Sequence, residues 1–93
     1  MRVSRPCSLS LPHAVDRFLE RCTGIIRNRD RDGAERFLRG LMSKMEPVDG
    51  TWDPHALDGL GQGFWECEHE GFVISATVDG NGMLRTVNSC EEI

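Results

Sequence analysis

The chain has 93 residues, with 11 Lys/Arg against 15 Asp/Glu and a formal net charge of −4. That length gives one domain that buries somewhat over about 60% of its unfolded surface, enough for a core but not for a large enclosed active site. No apolar run approaches the ~20 residues of a membrane span, and Met1-Arg2-Val3-Ser4-Arg5-Pro6 leads into no long apolar stretch, so a cytoplasmic chain without membrane anchor or secretion signal is expected.

Residues 1–10 place Val3, Cys7 and Leu9 among polar residues. A short strand around Cys7 to Leu9 is expected here, and Pro6 confines it to a sheet edge. A helical hairpin is expected over residues 11–45. Its first helix opens near Ser10 or Leu11 with Pro12 in the first turn, where a missing N–H does no harm. Leu11, Val15, Phe18, Leu19, Cys22, Ile25 and Ile26 recur at spacings of three and four and form one apolar stripe. This periodicity predicts a helix to about residues 27–29, weakened internally by Gly24. After a mixed-charge link, Asp32 and Glu35 have the spacing of a capping box. The second helix is expected to run to about Met45, with Ala34, Phe37, Leu38, Leu41, Met42 and Met45 turned inward.

Residues 46–62 are a connector rich in Gly, Pro and Asp. Trp52 is its one large aromatic and is expected to anchor it to the core. Asp53-Pro54-His55 suits one helical turn, with His55 on the surface. Residues 63–88 read as a three-stranded antiparallel meander. Phe72, Ile74, Ala76 and Val78 alternate with Val73, Ser75 and Thr77, as on a strand with one side on a core. Glu70-Gly71 suits a two-residue hairpin turn. It sets His69 opposite Phe72, Cys67 opposite Ile74 and Trp65 opposite Ala76, so the buried candidates share one face, while Phe64, Glu66 and Glu68 share the other. Asp79-Gly80-Asn81-Gly82 is a second turn. A four-residue loop there turns Met83 and Val87 inward; a three-residue loop with a bulge turns Leu84 and Thr86 inward. Residues 89–93 are expected to fray. The expected fold is therefore α+β: a two-helix hairpin on one face of a small antiparallel sheet of three or four strands, in a single domain.

Charge is unevenly distributed. Residues 1–45 hold ten Lys/Arg and five Asp/Glu, a balance of +5; residues 46–93 hold one Lys/Arg and ten Asp/Glu, a balance of −9. Such a bipolar chain steers an anionic partner to one side and a cationic one to the other. Cys7, Cys22, Cys67 and Cys90 contain no CxxC pair, so no standard zinc or redox motif is present. Cys67 and His69 could share a strand face, but no third metal ligand stands near them, and neither a metal nor a cofactor is expected.

The order of an edge strand, two helices, a connector and a three-stranded meander resembles the small toxins of the RelE/ParE/HigB superfamily. Leu9-Ser10-Leu11-Pro12-His13-Ala14 with Phe18-Leu19 resembles their strand-to-helix opening. Leu57-Asp58-Gly59 followed by Gly63-Phe64-Trp65-Glu66 is similar to their approach to the second strand, and Val78-Asp79-Gly80 then Leu84 to their last turn. The family's Trp-Glu-Leu-Arg stands here as Trp65-Glu66-Cys67-Glu68. The chain has no Tyr, and Arg85 is the one basic residue of its last strand. An acidic sheet face repels RNA, whose binding rests largely on phosphate neutralisation, so direct nucleic-acid contact is not expected. The resemblance then implies action of the ParE kind, by binding a topoisomerase-like target enzyme, with neutralisation by an antitoxin peptide along the helices or sheet edge.

The partner-binding residues expected on this reading are Arg27, Arg29, Arg31, Arg36 and Arg39 on the helical hairpin and Glu66, Glu68 and Arg85 on the sheet. The alternative is a non-enzymatic phage or bacterial inhibitor that binds a nucleic-acid-handling protein through its acidic sheet half. A hydrolase would draw its catalytic groups from His69 and Arg85, with Glu66 and Glu68. A homodimer through an open strand edge is compatible with the pattern.

Overall fold

The computed structural model describes residues 5–22, 24–25 and 30–93. Two helices pack on a five-stranded mixed sheet, an α+β architecture. In chain order the elements are β1 (Ser8–Leu9), α1 (His13–Arg21), α2 (Arg31–Met42), β2 (Glu46–Pro47), β3 (Gln62–His69), β4 (Phe72–Asp79) and β5 (Met83–Glu92). The strands lie in the order β1-β5-β4-β3-β2, so the expected edge strand is present, and β1 joins β5 in parallel. A fifth strand, β2, pairs with β3 at the opposite edge. The connector reading missed it because it is two residues long and one of them is proline.

The β3–β4 hairpin has the expected register, with His69 opposite Phe72, Cys67 opposite Ile74 and Trp65 opposite Ala76. Glu70 and Gly71 both take positive φ, 48° and 85°, as a two-residue turn that matches the strand twist requires. Strand β5 follows neither simple alternative. Leu84 pairs with Val78, Thr86 with Thr77 and Val87 with Ala76, so Arg85 and then Asn88 are each an extra residue in the ladder. Two bulges therefore turn Leu84 and Val87 inward together, three residues apart, and bend the strand. The residues expected to fray are strand as far as Glu92, and the Ile93 N–H donates to the Gly71 carbonyl at 2.8 Å.

Helix α1 is shorter than its apolar stripe. It ends at Arg21, and Gly24 lies beyond it with φ of +84°, a conformation that cannot continue a right-handed helix. Ile25 still packs against the core, while Ile26 lies outside the described residues. Helix α2 is capped by Asp30, not Asp32: the Asp30 carboxylate accepts from the Gly33 N–H at 2.6 Å. It stops at Met42, and Met45 is buried beyond it.

Phe18, Leu38, Met45, Ile74, Leu84, Val15 and Val78 are the largest fully buried side chains, so helices and strands share one core. Phe18 and Phe37 join the helices with ring centroids 5.4 Å apart. Trp52 does not enter this core. It is 36% exposed, and its ring lies against Gly61 and Gly63, where an added Cβ would stand 2.5 and 3.0 Å from ring atoms. It fastens the middle of the connector to its far end and to the start of β3, because glycine at those positions leaves a shelf for the indole. Among the described residues, no helix is long and apolar enough to cross a membrane.

Candidate binding face

Among the described residues the helices cover one face of the sheet; on the other, the β1–α1 corner and the connector border one end, where Thr77 and Asp79 are buried, and the rest carries no helix. On that outer face the side chains fall into rows across the strands. Phe64, Thr77 and Thr86 form one row; Glu66, Ser75 and Ser89 the next; Glu68, Val73 and Glu91 a third. Glu46 of β2 stands directly opposite Glu66. Phe64 is 43% exposed, a large aromatic ring on the solvent side of a strand whose inward neighbours, Trp65 and Cys67, are buried. Glu46, Glu66, Glu68 and Glu91 are exposed, and no Lys or Arg among the described residues lies within ion-pairing distance of any of them. Like charges opposite one another on a sheet are destabilising; here Lys44 lines the same depression as Glu46, Glu66 and Glu68 and stands as the nearby cation.

The other end is a groove of about 540 Å³. Gln62, Thr77, Arg85 and Thr86 line it from the sheet, and Ser10, His13 and Leu57 from the β1–α1 corner and the connector. Its floor is ordered. The Thr77 hydroxyl is buried and donates to the Asn88 side-chain oxygen at 2.9 Å. Asp79, 2% exposed, accepts from the N–H groups of Asn81 and Met83 at 2.9 and 3.1 Å, which closes the β4–β5 turn. Its second oxygen accepts from Arg85 Nη1 at 3.2 Å. Arg85 is the extra residue of the first β5 bulge. Bulges re-aim side chains, and this one sets Arg85 beside Thr86 on the groove. Gly80 completes the corner: its N–H donates to the Gly61 carbonyl at 3.0 Å, and an added Cβ would stand 2.0 Å from the Leu60 carbonyl oxygen.

The expected catalytic pair is not brought together. His69 ends β3 on the helix side, its ring edge-on to Phe37 at 4.9 Å and its Nε2 3.6 Å from Glu70. Arg85 lines the outer groove. By register, five residues of β4 separate their rows, about 17 Å along the strands. The expected partner-binding residues fall into two sets on opposite sides of the molecule. Glu66, Glu68 and Arg85 share the outer face. Arg31 pairs with Asp16 of α1, and Arg39 with Glu35 at 3.0 Å, within the helical layer. Arg36 is exposed on α2, and Arg27 and Arg29 lie outside the described residues.

Cys67, the ligand candidate beside His69, is buried on the helix side, where burial pushes its thiol above its ordinary value and Lys44 partly opposes the shift. Cys90 is also raised by burial, against the effect of a hydrogen bond with Cys22. Among the described residues no three His, Cys, Asp or Glu side chains are placed to hold a metal ion. His13, Ser10, Gln62, Thr77 and Thr86 were not singled out in the sequence. Only the mixed-face position of Thr77 hinted at them, because the groove is assembled from five separate parts of the chain: the β1–α1 corner, the connector, β3, β4 and β5. Comparison with protein-family models, curated proteins and solved structures gives no match.

Proposed function

We propose that this is a small toxin-like protein that acts by occupying a macromolecular target, and that the sheet face away from the helices is the surface it presents. The observation that carries this reading is Phe64, an exposed aromatic ring seated between the carboxylate rows and the groove on the face opposite the helices. Aromatic residues set among polar ones are the usual anchors of protein interfaces. The order of edge strand, two helices, connector and meander also supports it, since the resemblance to the RelE/ParE/HigB toxins rests on that order. His69 and Arg85 lie on opposite faces and engage other residues, so neither is assigned a catalytic step.

Induced expression of the chain in a bacterial host is expected to arrest growth, with relief by co-expression of a cognate antitoxin encoded beside it. A chain that accumulates in soluble form without slowing growth would overturn the reading.

A second reading has its own observation. Glu46, Glu66, Glu68 and Glu91 lie on one face with Lys44 beside the first three, and no ion pair ties any of them among the described residues; such carboxylate rows can stand in for a phosphate backbone. On this reading the chain inhibits a nucleic-acid-handling protein by occupying its basic site. Binding should then weaken steeply as salt rises toward the regime where the Debye length is about 3 Å. A complex indifferent to salt counts against it.

A further inference from the structure

We propose that the groove at the Gln62–Thr77–Thr86 end of the outer face binds a carboxylate carried by an extended segment of the protein partner, with Arg85 as its anchor. The inference rests on the reading that this face holds a protein partner.

Four observations meet there. Arg85 is the one Lys or Arg of residues 46–93, and the bulge places it on this groove and not along the acidic rows. Its ion pair with Asp79 takes one of the five N–H donors of a guanidinium and offsets part of its charge, and the 44% exposed side chain keeps further donors open to the groove. Ser10, Thr86, Gln62 and His13 supply further hydrogen-bonding groups around it; the carboxylate that meets Arg85, that of Asp79, is buried beneath the groove and also accepts from the Asn81 and Met83 N–H groups, and among the described residues none of the side chains that line the groove is a carboxylate. The face beyond it is acidic: the Glu66 row begins two residues away along the strands, about 7 Å, and the Glu68–Glu91 row four residues away, about 13 Å.

That gradient selects the ligand. Arginine presents paired N–H donors to a carboxylate in a geometry that a neutral residue cannot copy. A polyanion such as RNA would run its next phosphates into the Glu66 and Glu68 rows, whereas nucleic-acid affinity depends on meeting cations there. A protein segment that carries one Asp or Glu, or its own carboxyl terminus, and a Lys or Arg two to four residues away along an extended backbone satisfies both ends. Phe64, in the row of Thr77 and Thr86, then packs under the intervening side chains.

The test uses the full chain labelled with nitrogen-15 and three probes: acetate, inorganic phosphate and a short single-stranded oligoribonucleotide. Ionic strength is held constant with sodium chloride. Acetate is expected to shift the amides of Ser10, Thr77 and Thr86 saturably. Arg85→Gln should weaken that binding about tenfold, the usual worth of a hydrogen bond to a charged group. His13→Gln and Thr86→Val leave the Asp79 pair intact, and each should weaken it by a smaller factor. They decide the matter if the Met83 amide shows that Arg85→Gln has opened the turn.

Shifts with acetate no larger than those with chloride would overturn the proposal. So would saturation by phosphate or by the oligoribonucleotide at much lower concentration than acetate, which would assign the groove to phosphates. If acetate fails while Glu66→Lys still relieves growth arrest, the groove assignment falls and the binding-face reading stands. If the chain never arrests growth but acetate binds as described, the reverse holds.

Discussion

The two faces of the sheet obey different rules. The helix side sets Ile74, Ala76, Val78, Leu84 and Val87 into one dry cluster with Phe18 and Leu38, all at 0% exposure. The outer side leaves Phe64 43% exposed and lets Glu46 stand opposite Glu66. Folding explains the first face completely. It does not call for the second, where an exposed aromatic adds nothing to the core and a like-charge pair is offset only by Lys44 beside it. A small domain has little stability to spare, so a face that departs from what folding favours is where binding should be sought.

Substitutions can break or sharpen that contrast. The largest effect should come from Phe18→Ala on the covered side. Phe18 is fully buried and touches Phe37, and truncating such a ring costs about 3–5 kcal/mol. Chemical denaturation should show the loss. A cost below about 1 kcal/mol would mean that the helical layer is not packed as described.

Next in size is Gly80→Ala at the groove corner. The added methyl meets the Leu60 carbonyl, and forcing such a contact costs about 1–3 kcal/mol. The thermal midpoint should fall. An unchanged midpoint would detach the connector from the β4–β5 turn and with it one wall of the groove.

A smaller effect is expected from pH. Burial holds the Cys67 thiol above its ordinary 9.0, so its contribution is fully present below that value and is lost as pH rises through the folded-state value. Stability should therefore decline in the alkaline range above 9.0, and less steeply in Cys67→Ala than in the parent chain. Equal slopes would mean that other groups carry the alkaline dependence. The smallest effect is that of Glu66→Lys on the open side. Replacing the Glu46–Glu66 repulsion with an attraction should stabilise the chain by about 0.2–1 kcal/mol while weakening partner binding. A destabilised variant would mean that Glu66 is structural.

The fold was largely legible because its signals are local. The period-two run from Phe72 to Val78, the Glu70-Gly71 turn and the helical stripes each specify a face, and together they set the β3–β4 register. The misses have different causes, one local and the others in contacts between separate segments. Helix α1 stops before its stripe does because Gly24 turns left-handed. Trp52 is drawn to the shelf made by Gly61 and Gly63, ten residues ahead, and not to the core. The two bulges of β5 carry no composition signal, yet they decide which residues face inward and where Arg85 goes. For the site, Glu66, Glu68 and Arg85 were visible from charge and alternation. The groove was not, since Ser10 and His13 reach Thr77 and Thr86 only through the parallel pairing of β1 with β5.

Growth arrest on induced expression, compared between faces, tests the central claim most directly. Phe64→Asp should leave the melting curve nearly unchanged and abolish arrest, while Arg36→Ala on the helical layer should arrest as fully as the parent chain. Arrest that survives Phe64→Asp and is lost in Arg36→Ala would place the binding surface on the helices and contradict the account.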